Sequence, residues 1–566
     1  MQHSSVTQDK LLFDEWRKTL GNEIIHSPFT PIDEPKETLI VRILNTLKRN
    51  SQLRPEKVAV IDGFNQDCHL TSKQLHDQAL SVAAFLLSRG FGTGDRATTM
   101  LPNCIELPII HLGVWAAGGV FVGSKPSFKH HETVYQLQDS ASSVVFTNEA
   151  LLPAVMKAIE ECPTVKFVIC IRSTSTPIPD VVDFHEVISV PKLEKPIDVS
   201  MDAPCLVLYS SGTTGLPKGV VHTHRTCYSN IEILISHFQN EIYPVLGLNQ
   251  LDWQQEHQII AVAAFHMLGF GMLNWWLLTG STIVFMERLD EELYPKLLSQ
   301  FKPRYISVTP PIFAFLTKHP LGVAACLESV QLVLSCAAPL SKEVCDEFIK
   351  HHPSVKYIVQ GYGMTETGYS HLPILLQEGA NASSGVIVSN NSQKIVNPDT
   401  NQPCKLGEWG EVWVKGPGVT VGYLNKPEAT QLLFDDDGWL HTGDIGYLDE
   451  FGCLNVVDRV KEMIKVNYMH QSMQVSPAEL EGILLSNHKI RDVAIVGFSH
   501  DDGGELVRAF VVKADKELCG AEVEQVVSDK LASYKQITGG VVFLDAIPRS
   551  PAGKIMRREL RDKYSA

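Results

Sequence analysis

The 566-residue chain has no CxxC pair and no regular cysteine framework; its twelve cysteines are scattered. That argues against a disulfide scaffold or a zinc site and suits reduced thiols. Basic charge is in deficit, with 49 Lys and Arg against 64 Asp and Glu, a net charge of −15. A surface of that sign argues against nucleic acid or an anionic membrane as the main partner. No apolar run is clean enough for a transmembrane segment. Residues 104–123 include Glu106 and His111, and residues 258–286 include His266, Asn274 and several glycines. Each is expected to form a buried helix and strand. The N-terminus lacks the charged-then-apolar run of a signal peptide, and Lys563-Tyr-Ser-Ala566 does not match the usual peroxisomal tripeptide. The expectation is an intracellular protein, in the cytosol or an organelle such as the peroxisome. Internal repeats and low-complexity tracts are missing as well.

What remains is the composition of a soluble globular protein, 44% apolar and 20% charged, too long for one core. Strand-like runs at Lys57–Ile61, Ser143–Phe146, Lys166–Cys170, Thr282–Phe285, Tyr305–Val308, Leu332–Leu334 and Tyr357–Val359 alternate with helical patterns. The clearest helix is Ser72–Ser88. This rhythm predicts parallel α/β layers. From about Gly407 the pattern changes to short glycine-punctuated strands, which predicts an antiparallel or barrel-like region. A helix at Pro477–Leu485 and strands at Val493–Gly497 and Ala509–Lys513 follow. The domain boundary is therefore expected near 458–461, between a large domain of residues 1–457 and a small one of residues 458–566.

Residues 209–219 read Tyr-Ser-Ser-Gly-Thr-Thr-Gly-Leu-Pro-Lys-Gly, with five hydroxyls, three glycines and one lysine. Glycines let a backbone approach polyphosphate, N–H groups and hydroxyls point at its oxygens, and Lys218 adds a mobile charge. The NTPase P-loop does not fit, because Pro217 precedes the lysine and Gly219 follows it. Cys205–Tyr209 reads as a buried strand, so the loop leaves a strand end; an ordinary surface loop is the alternative. Gln360-Gly-Tyr-Gly-Met-Thr-Glu366 frees the backbone around Tyr362, whose ring could stack on a base, and supplies Glu366 where a Mg²⁺–polyphosphate needs a carboxylate. Trp439-Leu-His-Thr-Gly-Asp444 sets a carboxylate after a glycine at a strand end, which suits two ribose hydroxyls. Pro548-Arg-Ser-Pro-Ala-Gly-Lys554 fixes a turn from which Lys554 projects.

These segments, in this order from about Arg54 to Arg558, resemble the adenylate-forming superfamily of acyl-CoA synthetases, peptide-synthetase adenylation domains and beetle-type luciferases. In overall length and motif wording the chain looks closest to the 4-coumarate–CoA ligase-like and medium-chain branches. The resemblance implies an α/β fold, with two layered α/β subdomains and a distorted β-barrel in the large domain and a mobile α+β small domain. It implies nucleotide binding by Ser210, Ser211, Gly212, Thr213, Thr214, Gly215, Lys218, Gln360, Gly361, Tyr362, Gly363, Asp444 and Arg459. Thr365 would contact phosphate, Glu366 the metal, and Lys554 the carboxylate and α-phosphate during adenylation, with Lys461 as pivot and Lys465 as a further catalytic residue. Ala264-Phe-His-Met-Leu-Gly269 resembles the aromatic-histidine segment beside the acyl channel, which implies that His266 lies near the carboxylate. Phe265, Phe270, Cys336, Ala337 and Ala338 would line the acyl pocket. Cys336 and Ala337 stand where two glycines are usual, which narrows or reshapes that pocket.

The implied chemistry is attack of a carboxylate on Mg-ATP to give an acyl-adenylate and pyrophosphate, then transfer to the thiol of CoA. One segment departs from the pattern. After Asp458–Lys465 the family has about four residues including a glycine, and this chain has Val466-Asn-Tyr-Met-His-Gln-Ser-Met473. A bulkier turn could block the thiol, admit another acceptor (an amine, an alcohol or a carrier-protein thiol), or bulge outward. An inactive nucleotide-binding scaffold is a further alternative, against which Lys218, Glu366, Asp444 and Lys554 speak.

Overall fold

The computed structural model describes residues 13–172, 177–210, 217–336, 340, 342–375, 379–380, 383–468, 471–500, 504–549 and 555–564. Alternation of strand and helix gives layered parallel sheets. The largest has eight strands, with Arg96–Met100, Val120–Ser124, Val144–Asn148, Phe167–Ile171, Val181–Asp183 and Pro204–Ser210 pairing in parallel. Lys218–Thr223 closes one side as an antiparallel neighbour of Pro204–Ser210. A second sheet joins Val58–Asp62, Thr282–Phe285 and His257–Ile260 in parallel, and a third joins Tyr305–Val308, Leu332–Ser335 and Tyr357–Gln360. Val, Ile, Leu and Phe are the commonest of their buried residues, as expected of strands covered on both faces. The helix Ser72–Ser88 has the expected bounds; Thr71 and Gln74 form a capping box at its start.

Both apolar runs are buried helix-plus-strand units: Glu106–Ala116 followed by Val120–Ser124, and Met267–Thr279 followed by Thr282–Phe285. No helix among the described residues is long and apolar enough to cross a membrane.

A five-stranded antiparallel sheet follows the order Ile25–His26, Ser392–Val396, Gly410–Lys415, Leu440–Leu448 and Leu454–Arg459. It shares an apolar cluster with Val386, Ile387 and Tyr362 of a small three-stranded sheet, the barrel-like part of the large domain. Two further clusters draw only on residues from Ile464 to Tyr564. The small α+β domain therefore has its own core, built on the paired strands Ile490–Ser499 and Glu505–Lys513 with helices Pro477–Leu485 and Gly520–Ser528.

The atypical 466–473 segment is an extension of regular structure. Ile464–Tyr468 and Gln471–Val475 form an antiparallel ladder from Ile464↔Val475 to Tyr468↔Gln471. Ile464, Val466 and Val475 are buried in the small-domain core, while Lys465 and Asn467 are exposed. This is the two-residue alternation of a half-buried strand.

Candidate functional site

The site lies beyond the carboxyl ends of parallel strands, where open α/β sheets leave a crevice. Ser210 ends one strand, and the antiparallel register sets Lys218 directly opposite it, with Gly219 opposite Tyr209. The residues between, including Ser211, Gly212, Thr213, Thr214 and Gly215, lie outside the described residues, as do Ala337, Ala338 and Lys554. Gly219 is required by close packing: a Cβ there would come within 2.9 Å of Val207 and 3.2 Å of the Tyr209 ring. Tyr209 does not offer its hydroxyl to a ligand as the string of five hydroxyls suggested. It donates to Asp139 Oδ2 at 2.8 Å, so the phenol is a structural strut.

Glu366 is the centre of the first cluster. Its carboxylate, in a residue only 4% exposed, accepts hydrogen bonds from Ser210 Oγ and Tyr423 Oη, both at 3.0 Å and both on Oε1. The Lys218 Nζ stands 4.8 Å from the centroid of the Tyr423 ring. Burial, reinforced by Glu366, pushes the Tyr423 phenol far above its usual range. The adjacent Thr365 is fixed through its carbonyl, which accepts from His222 Nε2 at 2.8 Å. Burial holds the imidazole of His222 neutral, its pKa lowered to about 4.

The second cluster is Tyr362, Asp444 and Arg459. Tyr362 Oη donates to Asp444 Oδ2 at 2.6 Å, and Arg459 Nε pairs with Asp444 Oδ1 at 2.9 Å. Asp444 and Arg459 are directly opposite each other on neighbouring strands, and Gly443 takes φ +69° just before the carboxylate. Asp444 raises the Arg459 pKa against the opposing effect of burial, and Glu366 adds to it. Tyr362 and Glu366 share the 360–366 segment, which brings the two clusters together, and Arg459 is acted on by both carboxylates. Gly363 and Gly368 make the turn between Tyr362 and Tyr369 feasible: a Cβ on Gly363 would come 1.9 Å from the Gly368 carbonyl oxygen, and Gly368 has φ +63°. Gln360 buries its carboxamide, whose oxygen accepts from the Leu340 N–H at 2.9 Å. Gly361 donates to the Ser335 carbonyl at 3.3 Å.

Residues 261–266 form a third wall. Asn103 holds them through the Ala264 N–H at 2.8 Å and the Val262 carbonyl at 2.9 Å. His266 immediately precedes the helix Met267–Thr279; its Nε2 is buried without a partner among the described residues, and burial lowers its pKa to about 4. Phe265, His266, Tyr209, Gly123, Lys125 and Phe128 surround a small cavity. Phe270 is not part of it. That ring stacks on Phe121 at 5.9 Å and packs edge-on against His111 and Trp115 in the core. Burial pushes the Cys336 thiol up to about 12, so it stays protonated at neutral pH.

Sequence reasoning missed Tyr369. Its hydroxyl donates to the carbonyls of Met267 at 3.3 Å and Leu268 at 3.1 Å, and a Cβ on Gly271 would fall 2.0 Å from that oxygen. The phenol therefore ties Tyr369 to the backbone that follows His266, and burial above all holds the tyrosine protonated. Tyr423 and His222 were also missed; both act across long sequence separations that no local motif encodes. Lys461 and Lys465 are exposed, and Lys465 is anchored through its backbone N–H to Glu505 Oε2 at 2.9 Å.

The AMP-binding enzyme model matches residues 47–424, and the AMP-binding enzyme C-terminal domain model matches residues 479–554. The chain belongs to the AMP-binding enzyme family, within the adenylate-forming superfamily. It is 32% identical to 4-coumarate–CoA ligase 3 of Oryza sativa subsp. japonica over 90% of this chain and 89% of that protein. It is also 32% identical to the peroxisomal OPC-8:0-CoA ligase 1 of Arabidopsis thaliana, over 95% and 96% respectively. Among solved structures, the o-succinylbenzoate CoA synthetase of Bacillus subtilis in complex with its acyl-adenylate intermediate superposes with a TM-score of 0.75 at 27% identity. That match covers 92% of this chain and 98% of the other.

Proposed function

We propose that this AMP-binding enzyme is an acid–CoA ligase that activates a carboxylic acid with ATP. The observation that carries the reading is the joined pair of clusters: Glu366 with Ser210, Tyr423 and Lys218 on one side, and Tyr362, Asp444 and Arg459 on the other. Asp444 accepts the ribose hydroxyls, and Tyr362 borders the base. Lys218, Thr365 and Ser210 meet the phosphates with the Ser211–Gly215 backbone. Glu366 is the residue that would hold Mg²⁺. Its Oε1 is taken by two hydroxyls, and among the described residues no group of three or more His, Cys, Asp or Glu side chains could form a protein-only metal cage. That fits a cation bound by one carboxylate plus substrate phosphates, where it would neutralise phosphate charge.

The acid's carboxylate oxygen attacks the α-phosphorus, the bond from the α-phosphorus to the β-phosphate oxygen breaks, and pyrophosphate leaves. No protein nucleophile is needed, so positioning and electrostatics supply the rate. Lys554 places its ammonium between carboxylate and α-phosphate during this step. In the second step the CoA sulfur attacks the acyl carbon, the bond to AMP breaks, and the thiol proton passes to solvent. The small domain turns about 458–461, with Lys461 as pivot, to bring the Lys465 face to the site. The hairpin at 464–475 supports a second reading of the acceptor, because it lengthens the edge of the small domain beside Lys465. Incubation with ATP, a panel of carboxylic acids and CoA, followed by product mass, tests both. Acyl-CoA is the expected product. Pyrophosphate release with no thioester would favour another acceptor.

A further inference from the structure

The cavity beside His266 contains a charge that the reading above does not use. Lys125 follows the strand Val120–Ser124, whose end is clamped by Gln136: its Nε2 donates to the Gly123 carbonyl at 2.8 Å, and its carbonyl accepts from Ser124 Oγ at 2.6 Å. Lys125 lines the cavity with Phe128, Phe265, His266, Tyr209 and Gly123. Its Nζ lies 5.7 Å from the Phe128 ring centroid, and Glu132 acts on it only through space. Burial depresses its pKa, and its charge in turn helps depress that of His266. Next to it, His266 Nε2 is buried and has no hydrogen-bond partner among the described residues. A partly desolvated ammonium with no carboxylate paired to it among the described residues is costly, and so is an orphaned imidazole nitrogen. Both costs fall if an anion enters. Gly123 lets its strand pack closely on this wall, because a Cβ there would lie 2.9 Å from Leu208 and 3.0 Å from the Phe265 carbonyl.

We propose that Lys125 is a further acid-positioning residue beside His266, which the family resemblance already sets near the carboxylate, with the Lys125 ammonium contacting a carboxylate of the bound acid. The carboxylate is either the reacting one or the far end of a dicarboxylic acid; the chemistry of the contact is the same. This inference rests on the acid-activating reading above.

The test measures pyrophosphate release by wild type and Lys125→Met with 4-coumarate, octanoate and octanedioate, varying acid and ATP separately. A charge-assisted hydrogen bond of this kind predicts that KM for the acid rises about 10-fold or more while KM for ATP and the melting temperature stay put. An equal rise for octanoate and octanedioate assigns the contact to the reacting carboxylate, and a rise confined to octanedioate assigns it to the second one. An unchanged KM for the acid, or a rise in KM for ATP alone, overturns the proposal. A wild-type enzyme inert toward every acid would instead count against the acid-activating reading, and this inference would fall with it.

Discussion

Glu366 takes two hydroxyl hydrogen bonds on one oxygen, which leaves its charge available where a polyphosphate would gather cations. Glu366→Gln keeps the shape and both hydrogen bonds but removes the charge. We expect it to lower acid-dependent pyrophosphate release about 10²–10³-fold, the scale of losing one oriented electrostatic contact, with the melting temperature unchanged; a melt beside the rate assay checks this. Tyr369 has a different part. Its hydroxyl reaches the Met267 and Leu268 carbonyls only because Gly271 has no Cβ, so the phenol fills space between two proposed acyl-pocket walls. Tyr369→Ala should shift preference toward bulkier acids, seen as a rise of about tenfold in kcat/KM for a larger acid relative to a smaller one. An unchanged ranking across the panel would remove Tyr369 from the pocket. Glu366 and Asp444 were legible in the sequence because each sits in a short glycine-bearing string that dictates its own turn. Tyr369 and Lys125 were not, because their importance comes from partners about a hundred residues or more away, at Met267 and His266.

At the scale of elements, the glycines of the Tyr362–Gly368 turn and the ladder at 464–475 carry the argument. Gly363 approaches the Gly368 carbonyl so closely that an added methyl must push strand from strand. Gly363→Ala should cost about 1–3 kcal/mol through overpacking and displace Tyr362 from Asp444, lowering nucleotide affinity; a denaturant titration and an ATP-binding measurement read the two effects. The regular strands were readable because apolar runs between turn residues leave few alternatives: Thr282–Phe285 and Tyr305–Val308 have the expected bounds. The segment after Lys465 was not readable, because the lack of glycine looked like an irregular turn. Its alternation of Ile464, Val466 and exposed Lys465 and Asn467 instead continues a strand. That alternation keeps Lys465 off the small-domain core. Lys465→Ala should therefore slow thioester formation about tenfold or more while pyrophosphate release stays within about twofold, measured in parallel on one preparation. Equal loss in both assays would contradict a role confined to transfer.

Across the described residues, five buried histidines (His111, His222, His224, His237 and His371) and the half-buried His266 have pKa values lowered to about 4 by desolvation. Their unfolded value is about 6.5, so the unfolded chain binds more protons between those limits. The stability they contribute is present above about pH 6.5 and is lost as pH falls through 4. Denaturant midpoints recorded from pH 7.5 to 4.5 should fall steadily on the acid side, and a flat profile would contradict the burial. The same lowering keeps His266 uncharged at neutral pH, so its titration should not shape the rate profile near 6.5. Two cores on either side of 458–461 provide the large and small bodies that a two-step reaction in one site requires. The central claim is adenylation itself, and exchange of labelled pyrophosphate into ATP tests it most directly. The account predicts exchange that requires both Mg²⁺ and a carboxylic acid, proceeds without CoA, and falls at least about a hundredfold in Glu366→Gln and in Lys554→Ala. Exchange that ignores the acid, or survives both substitutions, would contradict it.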